Sequence, residues 1–221
     1  MNTNTISIKH HQSTAMSPSP SGEARRGFFL LFYLFTLLLF LVSCSESDET
    51  DNEFADWQSR NATYWNTLYT ATQQKISGGD TSWRIIRSWA KTEGAAKSNT
   101  DYIIAHVERE GSGGATPLYT DSVQVYYRGR YIPTASYPSG LVFDENFTGE
   151  LDVAVAKPTT QPARQQVDGF TTALMQMHAG DRWTVYIPYT LGYGETASSD
   201  GVIPAYSTLI FDLTLARFWH P

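Results

Sequence analysis

Apolar and polar residues alternate along Val123, Val125 and Tyr127, and again along Leu209, Phe211, Leu213 and Leu215, a period of two that lets an extended chain bury only one side. A chain carrying such runs must pair them into a sheet with a covered face. Tyr102–Val107, Leu151–Val155, Arg182–Ile187 and Thr208–Phe218 read as strands on the same ground. One helix interrupts them, from Gly169 to about His178, where Phe170, Ala173, Leu174 and Met177 make an i, i+3, i+4, i+7 face that Gly180 stops. An antiparallel sheet with a single short helix on one face is an α+β domain. The glycine cluster at 111–114 is a turn between strands rather than a phosphate cradle, since no helix follows it.

Ahead of the strands, Phe54, Trp57, Tyr64, Trp65, Leu68 and Ile76 recur at near-helical spacing behind a Thr50-x-x-Glu53 capping pattern. The spacing predicts a helix over 53–76, ended by Ser77-Gly78-Gly79-Asp80. Its aromatic stripe needs a partner, which is either the sheet-bearing body or a second copy of the chain in a homodimer. Thr81–Asn99, with Trp83, Ile85 and Ile86, fits a short strand or a helix equally well. The division that follows is an N-terminal helical segment, 53–100, and a sheet domain, 101–221.

Arg25-Arg26 followed by the fifteen residues Phe28–Val42, of which only Tyr33 and Thr36 are not fully apolar, reads as the basic and apolar regions of a signal peptide. A spanning helix needs about 20 apolar residues, so the run is short for one. Leu41-Val42-Ser43-Cys44 resembles the bacterial lipobox, and Cys44 is the only cysteine in the chain. A lone thiol makes no internal disulfide. The reading is therefore a lipoprotein signal peptide over 1–43 and acyl chains on Cys44 that tether the protein to a bacterial membrane, on its extracytoplasmic side, without spanning it. The outer membrane, at its periplasmic or surface face, is the expected site. Met16 is an alternative start. The acidic run over 44–52 is a solvated leash, resembling a surface-export signal or serving as a plain spacer. The whole chain has a net charge of −6 and no Lys/Arg-rich stripe, so nothing marks it as a nucleic-acid binder.

Read in order, the pieces Val123 to Gly129, Val142-Phe143-Asp144, Val167-Asp168-Gly169-Phe170, Tyr193-Gly194, Ile203-Pro204 and Thr208 to Asp212 resemble the FKBP-type peptidyl-prolyl isomerases, the macrolide-binding immunophilins, over about half of the chain. The resemblance implies an FKBP-like fold, a twisted antiparallel sheet half-wrapped around one short helix. It also implies an apolar cup for a proline ring, lined by Tyr127, Phe143, Val167, Phe170, Tyr193, Ile203 and Phe211, with Leu151 at its edge. By the same resemblance the Val167 N–H and the Tyr193 hydroxyl meet carbonyls of a ligand, and Asp144 is the carboxylate on the wall. Catalytic roles then fall to Asp144, Tyr193, Phe143, Tyr127 and Phe211, and substrate-binding roles to Val167, Phe170, Ile203 and Leu151. Four positions depart from the family pattern: Phe170 where tryptophan is common, Pro204-Ala205 where two prolines are usual, no arginine between Asp144 and Leu151, and long loops over Ile132–Leu141 and Ala156–Gln166.

Rotation about an X-Pro bond needs no nucleophile, metal or cofactor, because the barrier of about 18–20 kcal/mol is lost resonance. A pocket helps by gripping the ring, drying the carbonyl and bonding it better twisted than planar. No cofactor is expected, and His106, His178 and His220 lack paired ligand spacing for zinc. The implied partners are proline-containing polypeptides among exported proteins. Two other readings stand beside this one. The cup could hold proline segments as a binding or chaperone module with little turnover, or Trp57, Trp65, Trp83 and Trp89 could form a glycan surface.

Overall fold

The computed structural model describes residues 53–220, which form one compact unit. The expected signal peptide, both candidate start sites, Cys44, the expected leash and Thr50 lie outside the described residues. Seven strands, β1 (Trp83–Arg87), β2 (Tyr102–Arg109), β3 (Ser122–Arg130), β4 (Val142–Glu145), β5 (Thr159–Pro162), β6 (Arg182–Ile187) and β7 (Leu209–Trp219), make one antiparallel sheet in the order β1-β2-β6-β7-β3-β4. β5 joins β3 on the same edge as β4: β5 pairs Ser122–Val125 and β4 pairs Arg128–Arg130. The core sits where the alternating residues converge. Ile103, Ala105, Val123, Val125, Trp183, Val185, Ile187, Leu209, Leu213 and Leu215 are buried on one face against the short helix α2 (Asp168–Leu174).

α2 ends three or four residues earlier than the spacing predicts. After Leu174 the chain tightens, the Met177 N–H reaching the Leu174 carbonyl at 3.2 Å, although Met177 itself stays fully buried. Gly169 lets the helix lie close on the sheet, since a Cβ there would stand 2.3 Å from Cγ2 of Ile187.

The other helix, α1 (Trp57–Ser77), begins four residues later than predicted. Asp56 adopts a left-handed conformation, φ 51°, and makes no side-chain cap, so the Thr50–Glu53 pattern does not start this helix. Its end is as read: the Gly78 N–H bonds the Gln74 carbonyl at 2.9 Å and Gly79 takes φ 90°. Trp57, Asn61, Trp65 and Thr72 form its buried face. That face lies on the protein's own body. Lys75 Nζ stands 3.7 Å over the Trp83 ring, which stacks on His106 and Tyr186, on the side of the sheet away from α2. Ile104 and Ile210, pointing the same way through the Ile104–Tyr186–Ile210 register, are buried there. α1 is thus a third layer and not a separate segment.

Three sequence expectations are corrected. The sheet begins at Trp83 rather than after residue 100, because β1 pairs with β2 from Trp83–His106 to Arg87–Tyr102. Residues 151–155 are a turn and not a strand. Asp152 accepts the Ala154 N–H on Oδ1 and the Val155 and Ala156 N–H groups on its carbonyl, which leaves Val153 and Val155 exposed. The loop at 156–166 is largely ordered as β5 and a 3-10 turn, Ala163–Gln165. Replacing Gly169 with alanine should lower stability by about 1–3 kcal/mol through overpacking against Ile187. Urea unfolding should show this as a lower midpoint at unchanged slope.

Candidate active site

The strand register brings four aromatic rings together. Gly129 on β3 faces Phe211 on β7, and a Cβ at 129 would stand 2.5 Å from the Phe143 ring and 2.8 Å from that of Phe211. Its missing side chain is the space the two rings occupy. Phe143 and Phe211 meet edge to face at 5.6 Å, Phe211 and Phe170 at 5.0 Å, and Phe170 and Tyr127 at 6.4 Å. Edge-to-face contacts of this kind favour a fixed arrangement over a collapsed one.

These rings bound a cavity of about 310 Å³ whose floor is Phe170 at the start of α2. Val167, the residue before α2, also lines it. α2 is tied down beside the cavity by Thr171, whose hydroxyl donates to the Ala163 carbonyl at 2.8 Å. The opposite side is polar, with Gln161, Gln165 and Gln166 joining Asp144 and Tyr193. Tyr193 is 44% exposed, placing its ring at the mouth.

Asp144 is exposed, and the Tyr127 hydroxyl donates to its Oδ2 at 2.9 Å. A neutral phenol on the neighbouring strand therefore orients this carboxylate in the absence of a following arginine. Arg128 braces the chain beyond it, donating to Glu145 Oε2 at 2.7 Å and to the Phe147 and Gly149 carbonyls. Asn146 fills the gap between β4 and β5. Its amide oxygen accepts the Tyr127 N–H at 2.9 Å, and its amide nitrogen donates to the Val125 carbonyl and to the Thr159 hydroxyl.

Residues 113–216 match the model of the FKBP-type peptidyl-prolyl cis-trans isomerase family. This part of the chain is similar to that family. The chain is 37% identical over 121 residues to a macrophage infectivity potentiator of Trypanosoma cruzi, covering 55% of each. It is 35% identical over 126 residues to an FKBP-type 22 kDa peptidyl-prolyl cis-trans isomerase of Escherichia coli, covering 57% of this chain and 54% of that one. An outer membrane protein MIP of Legionella longbeachae is 37% identical over 102 residues, 46% of this chain and 38% of that one. The chain spans about half the length of the first two relatives and less of the third.

Within the matched span, seven of the nine residues expected at the site line one cavity: Tyr127, Phe143, Asp144, Val167, Phe170, Tyr193 and Phe211. Ile203 and Leu151 do not. Ile203 is 4% exposed and packs in the main core behind the wall, its N–H and carbonyl held by Ser198. Leu151 is half-buried at the start of the Asp152 turn, which carries it off the strand path assumed for it. The three glutamines, Gly129 and Asn146 were not singled out from sequence; only Gly129 had a signal, as a glycine inside an alternating strand. The proposed glycan surface fails at two of its four rings, because Trp57 and Trp65 are 7% and 2% exposed.

Burial pushes the Tyr127 phenol up to about 12, helped by its bond to Asp144 and by the charges of Asp144 and Tyr193. Burial likewise raises Tyr64 and Tyr131 to about 12. The folded state holds these protons more tightly than the unfolded chain, whose phenols titrate near 10. Their contribution is therefore complete below pH 10 and is lost as pH rises through about 12. Urea midpoints should fall across that window, and Tyr127→Phe should reduce the fall.

Proposed function

We propose that this protein is a lipid-anchored, extracytoplasmic peptidyl-prolyl cis-trans isomerase that assists the folding of exported proteins. The observation that carries the reading is the Tyr127–Asp144 bond at the rim of a ring-lined cavity of about 310 Å³. The match of residues 113–216 to the isomerase family and the names of the relatives support the chemistry. A proline ring enters against Phe170 and Phe211, and the preceding carbonyl leaves water for the Val167 N–H and the Tyr193 hydroxyl. Groups fixed before the substrate arrives need no reorganisation as the amide twists. No covalent step is required.

The lipobox supports attachment through Cys44, and the outer membrane protein MIP relative supports a membrane-associated location. A homodimer through α1 would have to use the polar face of Thr63, Thr67, Thr70 and Gln74, since the aromatic face is occupied. Proline-containing segments of exported polypeptides are the substrates in this reading.

A protease-coupled assay with an X-Pro peptide tests the activity: the protein should accelerate isomerisation at micromolar concentration. Asp144→Ala and Tyr193→Phe should each lower kcat/KM about tenfold, the equivalent of one hydrogen bond in the transition state. Binding of the peptide without acceleration would replace the enzyme with a holding module. Cys44→Ser should move the protein from the membrane pellet to the soluble fraction on fractionation of expressing cells.

A further inference from the structure

The loop from Val202 to Thr208 carries Ile203-Pro204 behind the cavity wall, outside the strands. Ser198 holds the Ile203 backbone, and the Tyr206 N–H donates at 3.0 Å to the carbonyl of Gly194, next to the cavity residue Tyr193. Its other fixings lead to α1. The Trp57 indole N–H donates to the Ser207 hydroxyl at 2.8 Å, and that hydroxyl donates its own proton to the Pro204 carbonyl at 2.7 Å. Each group in this relay is used once, so the direction of the chain is fixed. One turn along α1, the Asn61 amide oxygen accepts the Thr208 N–H at 2.7 Å, while its amide nitrogen is taken by the Trp57 carbonyl at 2.8 Å.

A second route starts from the same ring. Trp57 meets Tyr131 edge to face at 5.9 Å, the Tyr131 hydroxyl donates to the Val202 carbonyl, and the Tyr131 ring packs on Phe143 at 5.0 Å. Both ends of the loop and one wall of the cavity therefore converge on one residue of α1. That residue lies outside the span matched by the family, residues 113–216.

Resting on the proposed isomerase reading, we infer that Trp57 is a positioning residue for the cavity: through Ser207 it sets the place of the Pro204 loop, whose Val202 carbonyl holds Tyr131 against Phe143 and whose Tyr206 N–H holds Gly194 beside Tyr193, and α1 thereby controls how tightly the proline ring is gripped. The effect falls on binding rather than on the rotation itself, because none of the groups in the relay touches the cavity. A merely structural role would lower the melting temperature and leave the affinity of the folded protein alone.

The test uses the full-length chain in mild detergent with an X-Pro peptide, measuring kcat and KM by isomerisation and Kd by NMR titration. Trp57→Phe keeps an aromatic ring and removes the donor; Ser207→Ala breaks the relay at its middle. Each should raise KM and Kd about 3- to 10-fold, the equivalent of one lost hydrogen bond, with kcat changed less than about twofold. Ser207→Thr, which keeps the hydroxyl, should restore the wild-type values. The double variant should be no weaker than either single one, since both remove the same relay. Wild-type KM and Kd in both single variants, at a temperature where both are folded, would overturn the inference whatever their melting temperatures. A wild type that binds the peptide without turning it over would sink the isomerase reading alone, and the Kd comparison would still decide this one. A wild type that does neither would sink both.

Discussion

Nine residue pairs join β3 to β7, from Ser122–Trp219 to Arg130–Ile210, and every other part of the site takes its position from this pairing. Its register places Gly129 opposite Phe211, so the one strand position without a side chain stands where two rings must pass. A slip of one residue would turn Phe211 to the other face and bring Asp212 in its place. The register is pinned at both ends. Near Gln124 a bulge adds one residue to β7, so that Gln124 faces Arg217 and Val125 faces Leu215, and at the other end Arg130 donates to Asp212 at 2.7 Å on the face away from the cavity. Sheet pairing, ring packing and the cavity are thus one constraint seen at three scales.

Elements with a strong period were legible from sequence: β2, β6, β7 and the start of α2 lie where alternation or helical spacing placed them. Elements held by polar side chains were not. Leu151–Val155 alternates like a strand, yet Asp152 gives its backbone local partners and no neighbouring strand competes for them. β5 is Thr-Thr-Gln-Pro, without an apolar period, and is a strand only because β3 presents a free edge to it. β1 was ambiguous because its ordering force is long-range, with Trp83 caught between Lys75 and His106.

The site shows the same division. Its rings were legible because each occupies a motif position in a strand or at a helix start. What holds them in place was not, since Asn146, Ser207 and Asn61 are ordinary polar residues whose partners are distant in sequence. Ile203 was assigned by motif to the cavity surface, but burial against the core competes for it, and the Ser198 contacts to its backbone leave its side chain inward.

Asp144 illustrates how one contact can substitute for another with different consequences. A guanidinium would orient the carboxylate and also bring a positive charge beside it, whereas the Tyr127 hydroxyl orients Oδ2 with a neutral donor. The tyrosine can do this because β3 holds it from behind, its N–H bonded to Asn146 and its ring against Phe170. Ordering of the carboxylate is then completed during folding, so a peptide entering the cavity meets an acceptor that needs no rearrangement. The strength of that acceptor is tied to the fit of the rings beneath it: any change that shifts Phe170 or Phe211 moves Tyr127, and with it the only hydrogen bond that the Asp144 carboxylate receives from the described residues.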